Sequence, residues 1–157
     1  MHLKSFFKKG FKAVSSPAPR QMVEIFLESY SHKFSSSDSA SLPHRRRLVD
    51  EARKAGYYCY ANLGSSRYEL MHFLSLGLPV VVEVRSSDGG DKLGLVVSVD
   101  TKKIEIVFPH ENHHQNISIE TFEKMWGGGG KSPRCYLLVL SLSDFNLGRQ
   151  YFPLSSK

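Results

Sequence analysis

Apolar positions recur along this chain with helical, alternating and continuous spacing, and each spacing predicts a different element. Met22, Ile25, Phe26 and Tyr30 recur at helical intervals and predict a first amphipathic helix over about Gln21 to Tyr30. Leu48, Val49, Ala52 and Ala55 do the same over His44 to Ala55, where Gly56 supplies a stop. "YYCYANL" reads as a strand. "SSRYELMHFLSLGLP" is a punctuated helix: Ser66 and Glu69 form a capping-box pair, and Gly77 followed by Pro79 ends it. "VVVEV" (80 to 84) is a β-branched run expected of a central strand buried on both faces. "KLGLVVSV" (92 to 99) and "KIEIVF" (103 to 108) predict a hairpin. "PHENHHQN" is expected to be a loop before a short helix, with Ser118 as N-cap and Ile117 and Phe122 as its hydrophobic staple. "RCYLLVLSL" (134 to 142) is the last core strand. Residues 1 to 14 form a basic, aromatic lead-in with room for one short strand, and "HKFSSSDSASLP" is a Ser-rich surface loop. Helices lead and antiparallel strands follow, so the class is α+β.

With 157 residues, 41% hydrophobic, the chain suits one globular domain, read as residues 1 to 145 with a tail over 146 to 157. No apolar run is long enough for a transmembrane segment, and "MHLKSFFKKGFK" lacks the apolar stretch of a secretory signal. Two cysteines, Cys59 and Cys135, in apolar, strand-like surroundings read as buried free thiols in a reducing, cytoplasmic setting. The net charge of +6 gathers in "HRRR" (44 to 47) and "KSFFKKGFK" (4 to 12), but no nucleic-acid motif accompanies it, and a solvated surface accounts for it.

Several residues carry candidate chemistry. Cys59 sits mid-strand, away from any helix N-terminus that would lower a thiol pKa, and reads as core. His72 reads as a half-buried or surface histidine. His110, Glu111, His113 and His114 offer donors that suit zinc or nickel, but in a loop without a fixed fourth ligand they are weak candidates, and no cofactor is expected. "GGGG" (127 to 130) has no lysine and no strand-to-helix context, so it is not a phosphate loop. "NIS" (116 to 118) carries no weight as a glycosylation site in a cytoplasmic chain.

Four stretches, spread over residues 9 to 141, resemble the papain-like peptidases that cleave double-glycine leaders from bacteriocins, family thirty-nine of the cysteine peptidases. "SSPAPRQMV" is similar to a nucleophile segment Cys-Gly-Pro-Ala that enters a helix. "YELMHFLSLGLPVVVEV" is similar to the family's helix, Gly-x-Pro stop and central strand, the most specific of the four. "DKLGLVVSVDTKKIEIVFP" is similar to the hairpin that bears the histidine, and "ISIETFEKMW" to the helix that follows. The resemblance implies a papain-like fold with N-terminal helices packed on an antiparallel sheet.

Carried across position by position, the resemblance places Ser15 at the thiolate, Ser16 at the following glycine, Lys92 at the imidazole, Phe108 at the orienting carboxylate and Lys9 near the oxyanion donor. None of these can serve: acyl transfer in this fold needs a nucleophile activated by a base that a third group orients, and Phe108 accepts no hydrogen bond. The resemblance therefore implies a catalytically inactive domain. Ser15 or Ser16 is then expected to cap the helix. A peptide or protein ligand is expected in a cleft lined by Ser15, Ser16, Lys92 and Phe108, between the first helix and the Lys92–Phe108 hairpin. Two alternatives stand beside it: an active hydrolase or acyl-transfer enzyme using Ser15, Cys59 or a relocated histidine, and an accessory subunit with a purely structural role. The sequence does not set the oligomeric state.

Overall fold

A computed structural model describes residues 12–34, 42–85, 91–109, 111, 113–127 and 135–145. Strands β1 (Ala13–Val14), β2 (Tyr58–Asn62), β3 (Val80–Arg85), β4 (Asp91–Val99), β5 (Lys103–Phe108), β6 (His113–Ser118) and β7 (Leu137–Ser141) form one sheet. Its order is β2-β7-β3-β4-β5-β6, with β1 paired to β4, and every pairing is antiparallel. Helices α1 (Pro17–Lys33) and α2 (Leu42–Lys54) cover one face, and α3 (Arg67–Ser75) and α4 (Ile119–Gly127) the other. The chain is thus α+β, with four helices on an antiparallel sheet.

Two buried layers follow from this sandwich. Val23, Leu27 and Tyr30 of α1 and Leu48, Val49 and Ala52 of α2 meet Val81, Leu95, Leu138 and Leu140. On the other face, Leu70, Phe73 and Leu74 of α3 and Phe122 and Trp126 of α4 meet Val80, Val82, Ile106 and Phe108. The period of two sends alternate residues of β3 to opposite layers, which is why "VVVEV" shows no polar alternation.

The structure corrects the buried face of α1. Met22 and Ile25, expected in the core, are 45% and 69% exposed, while Val23 and Leu27 are buried. The helix carries apolar residues on two stripes, and contact with α2 and the sheet selects the 23/27/30 stripe. A second correction concerns "PHENHHQN": its residues 113–116 are not loop but belong to the edge strand β6, paired to β5 from Lys103↔Ser118 to Phe108↔His113. An edge strand wetted on much of its surface needs little apolar patterning, and among its described side chains Ile117 packs against the core. Ser118 does cap α4, accepting from the Thr121 N–H at 3.1 Å.

The ends of α3 follow the sequence. Ser66 Oγ accepts from the Glu69 N–H at 3.3 Å, although the Glu69 carboxylate turns to Tyr60 and Asn62 instead of closing the box. Gly77, at φ 78°, ends the helix in the left-handed conformation, with its N–H on Leu74 O and that of Leu78 on Phe73 O.

Candidate functional site

β1 lies against the end of β4, Ala13 opposite Val99 and Val14 opposite Ser98, and this pairing delivers the chain to the start of α1. Ser15 continues it. Its N–H donates to Val97 O at 3.0 Å and its hydroxyl donates to the same carbonyl at 3.4 Å. It is 1% exposed, so its oxygen is directed into the sheet and shielded from solvent.

Ser16 occupies the N-cap position of α1 but makes no side-chain cap bond. A capping oxygen accepts from the N–H of the second or third helical residue, and here the third is Pro19, which has none. The Ser16 N–H instead donates to Gly77 O at 3.0 Å, and its hydroxyl fills the space beside Gly77, where an added Cβ would lie 2.6 Å away. The expected capping role is therefore not performed by either serine.

Lys92 and Phe108 do come together. The Lys92 ammonium lies 4.0 Å from the centroid of the Phe108 ring and 2.8 Å from Glu111 Oε2. Phe108 is fully buried in the layer beneath α3 and α4 and closes over Gly94. Ser15 does not join them: Val97, its partner, is five positions from Lys92 along β4, roughly 15 Å at the rise of a strand. Val23 and Leu27 of α1 and Leu95 of β4 belong to one buried cluster. Of Ser15, Ser16, Lys92 and Phe108, Ser16 lines a groove at the start of α1, while Ser15 and Phe108 are buried. Lys9 lies outside the described residues.

A groove opens at the start of α1. Between the start of α1, the α3–β3 turn and the end of β7 is a space of about 320 Å³, lined among others by Ser16, Met22, Leu76, Pro79, Leu140 and Leu142. The described lining carries no charged side chain. Sequence reasoning missed it because it depends on where β3 begins relative to β7.

The other candidates disperse. Burial pushes the Cys59 thiol up to about 11, against a weaker opposing pull from Arg53, and burial likewise raises the Cys135 thiol, so neither is an activated nucleophile. Cys59 is buried as expected, whereas Cys135 is only half-buried. His72 is half-buried and edge-on to Phe73. Within the histidine cluster, Glu111 pairs with Lys92, and His114 Nδ1 lies 3.1 Å from Glu105 Oε2. No group of three metal-ligating side chains forms among the described residues, and His110 lies outside them. The His114 contact, with a further hydroxyl bond from Ser98, holds the Glu105 carboxyl below its usual range despite partial burial.

Of "HRRR", Arg45 turns inward. Its Nε donates to Glu83 Oε1 at 3.1 Å, its Nη2 reaches the same oxygen, and its guanidinium sits 5.0 Å from the Tyr136 ring centroid. Arg47 lies over Phe34, and Arg46 faces solvent. The single acid within "VVVEV" was the available signal, since a glutamate in a strand buried on both faces needs a cation.

This arrangement of helices and antiparallel sheet is the fold of C39-like peptidase domains. A solved structure that shares it is the peptidase domain of Streptococcus ComA, a bi-functional ABC transporter involved in a quorum-sensing pathway. The two are 18% identical with a TM-score of 0.50, over 84% of this chain and 98% of that one. A structure described as a C39-like peptidase, from Bacillus anthracis, is 17% identical at a TM-score of 0.46; the match covers 62% of this chain and 58% of the length of that one. No protein-family model matches the sequence, and no curated protein matches it.

Proposed function

We propose that residues 1 to 145 are a catalytically inactive, peptidase-like domain of the cytoplasm that binds an extended peptide or protein segment. One observation carries the reading: Ser15 Oγ, at the position matched to the nucleophile, is buried and donates to Val97 O, five positions along β4 from Lys92. Activation of a serine requires a base within hydrogen-bond reach. Lys92 is engaged by Glu111, and Phe108 has no polar atom to orient a base. The retained fold, with an open groove at the head of α1, supports a binding role in place of cleavage.

The reading is tested by exposing the protein to a fluorophosphonate and to iodoacetamide, and by titrating peptides calorimetrically. The expected result is no stoichiometric adduct at Ser15, together with saturable peptide binding. An adduct at Ser15 that disappears in Ser15→Ala would establish an active nucleophile and overturn the inactive reading.

A further inference from the structure

The two outer strands of the sheet differ. β2, at one end, is covered: Cys59, Tyr60 and Ala61 are 8%, 4% and 0% exposed. β6, at the other end, is open, with His114, Asn116 and Ser118 all exposed. Two hydrogen bonds fix which backbone groups of β6 point outward. Asp100 N–H donates to Lys103 O, so Lys103 bonds toward β4, and Ile119 N–H donates to Lys102 O, so Lys102 bonds toward β6. Bonding direction alternates residue by residue in an antiparallel ladder. With Lys103 opposite Ser118 and Ile104 opposite Ile117, it follows that Gln115 and Ile117 bond to β5. His114 and Asn116 therefore direct both N–H and C=O away from the sheet. Ser118 shares their direction, but as the cap of α4 it commits its carbonyl to the helix.

Soluble proteins blunt such an edge with a Lys, a Pro, a bulge or a covering element. "HHQNIS" holds no Lys, Arg, Asp, Glu or Pro, in a chain that is 23% charged. Its register with β5 runs unbroken from Lys103↔Ser118 to Phe108↔His113, while the irregularity at Val96/Ser98 lies between β4 and β5. We propose that β6 pairs with β6 of a second copy of this chain, antiparallel, about a two-fold axis at Gln115. His114 of each copy then exchanges both backbone bonds with Asn116 of the other, which satisfies every outward group of these two residues. The side chains suit the same register. His114 lies opposite an Asn116 amide and Gln115 opposite its own copy, so no like charges meet across the seam. The exposed side chains of the edge are hydrogen-bonding groups that find partners in their own sequence, and they offer no apolar anchor to a foreign strand. Because β2 is covered, the described sheet has one open edge per molecule, and pairing closes at a dimer without propagating. This interface goes beyond the peptide-binding reading and does not depend on it.

Sedimentation equilibrium of the full chain, from micromolar to millimolar protein, tests the proposal, and a reversible monomer–dimer equilibrium is expected. Asn116→Pro removes an outward N–H that β5 does not use, so the variant is expected to stay folded and to dimerise about tenfold more weakly or less still. Gln115→Lys and Gln115→Glu each set like charges against each other on the axis and are expected to weaken the dimer about fivefold. An equimolar mixture of the two pairs opposite charges and is expected to restore association, which also shows that both variants are folded. A chain that stays monomeric to millimolar concentration, a dimer that ignores Asn116→Pro, or a mixture no tighter than either variant alone would overturn the proposal. So would assemblies that grow beyond two copies.

Discussion

Gly94 has no side chain, and Ile106 and Phe108 occupy the space one would need: an added Cβ would lie 2.6 Å from Ile106 Cδ1 and 3.0 Å from Phe108 Cε1. Gly94→Ala is therefore expected to destabilise the fold by about 1–3 kcal/mol, read as a lower urea midpoint, because a closed core resists added volume. Phe108→Asp places an acid in a buried apolar layer, away from Ser15, and is expected to lower stability without giving hydrolysis of a fluorogenic peptide. Cys59 provides a second residue-scale test. With its thiol pushed up to about 11 from an ordinary 9.0, its thiolate fraction at pH 8 falls about a hundredfold. Reaction with an aromatic disulfide reagent should be correspondingly slow in the folded protein and fast in denaturant, with Cys59→Ser as control. Rapid labelling of the native thiol would revive a cysteine nucleophile.

At the scale of elements, the edge strand β6 is fastened to β5 by His114 and Glu105. Glu105 is held below the usual glutamate value of 4.5 in the folded state, first by the hydrogen bond to His114. A depressed carboxyl pKa contributes stability that is present above the unfolded value and is lost as pH falls through the folded one. Thermal unfolding of the wild type should therefore lose this increment below about pH 4.5, and Glu105→Gln should flatten that part of the profile. An identical pH profile for the variant would show that the pair contributes nothing. Element identity was largely legible in the sequence: the hairpin of β4 and β5, the punctuated α3 and the central β3 follow from periodicity and from Gly77 and Pro79. β6 was not legible, because its register comes from pairing with β5 and not from an apolar pattern of its own. The stripe of α1 that is buried was equally undetermined, since two stripes satisfied the helical period and only the partner layer chose between them.

Across the whole molecule, the buried ion pair of Arg45 and Glu83 joins α2 to the central strand beneath Tyr136. Arg45→Met removes the guanidinium from a glutamate whose side chain is almost fully buried, and is expected to cost about 3–5 kcal/mol in chemical denaturation. The double variant Arg45→Met with Glu83→Leu should recover much of that loss; no recovery would show that the arginine acts through packing alone. The pair binds residues far apart in the chain, so neither half announces the other locally.

What the sequence determined by itself was the class of the fold, because the periodicity that separates helix from strand is written locally, and with it the residue types present at Ser15, Lys92 and Phe108. Only the tertiary structure decided where those residues lie and where the surface opens. β3 starts at Val80, opposite Val139, two residues before β7 ends at Ser141, and the groove opens beside that step. Distances between segments arise from how layers stack and strands register, and no local pattern of residues encodes them.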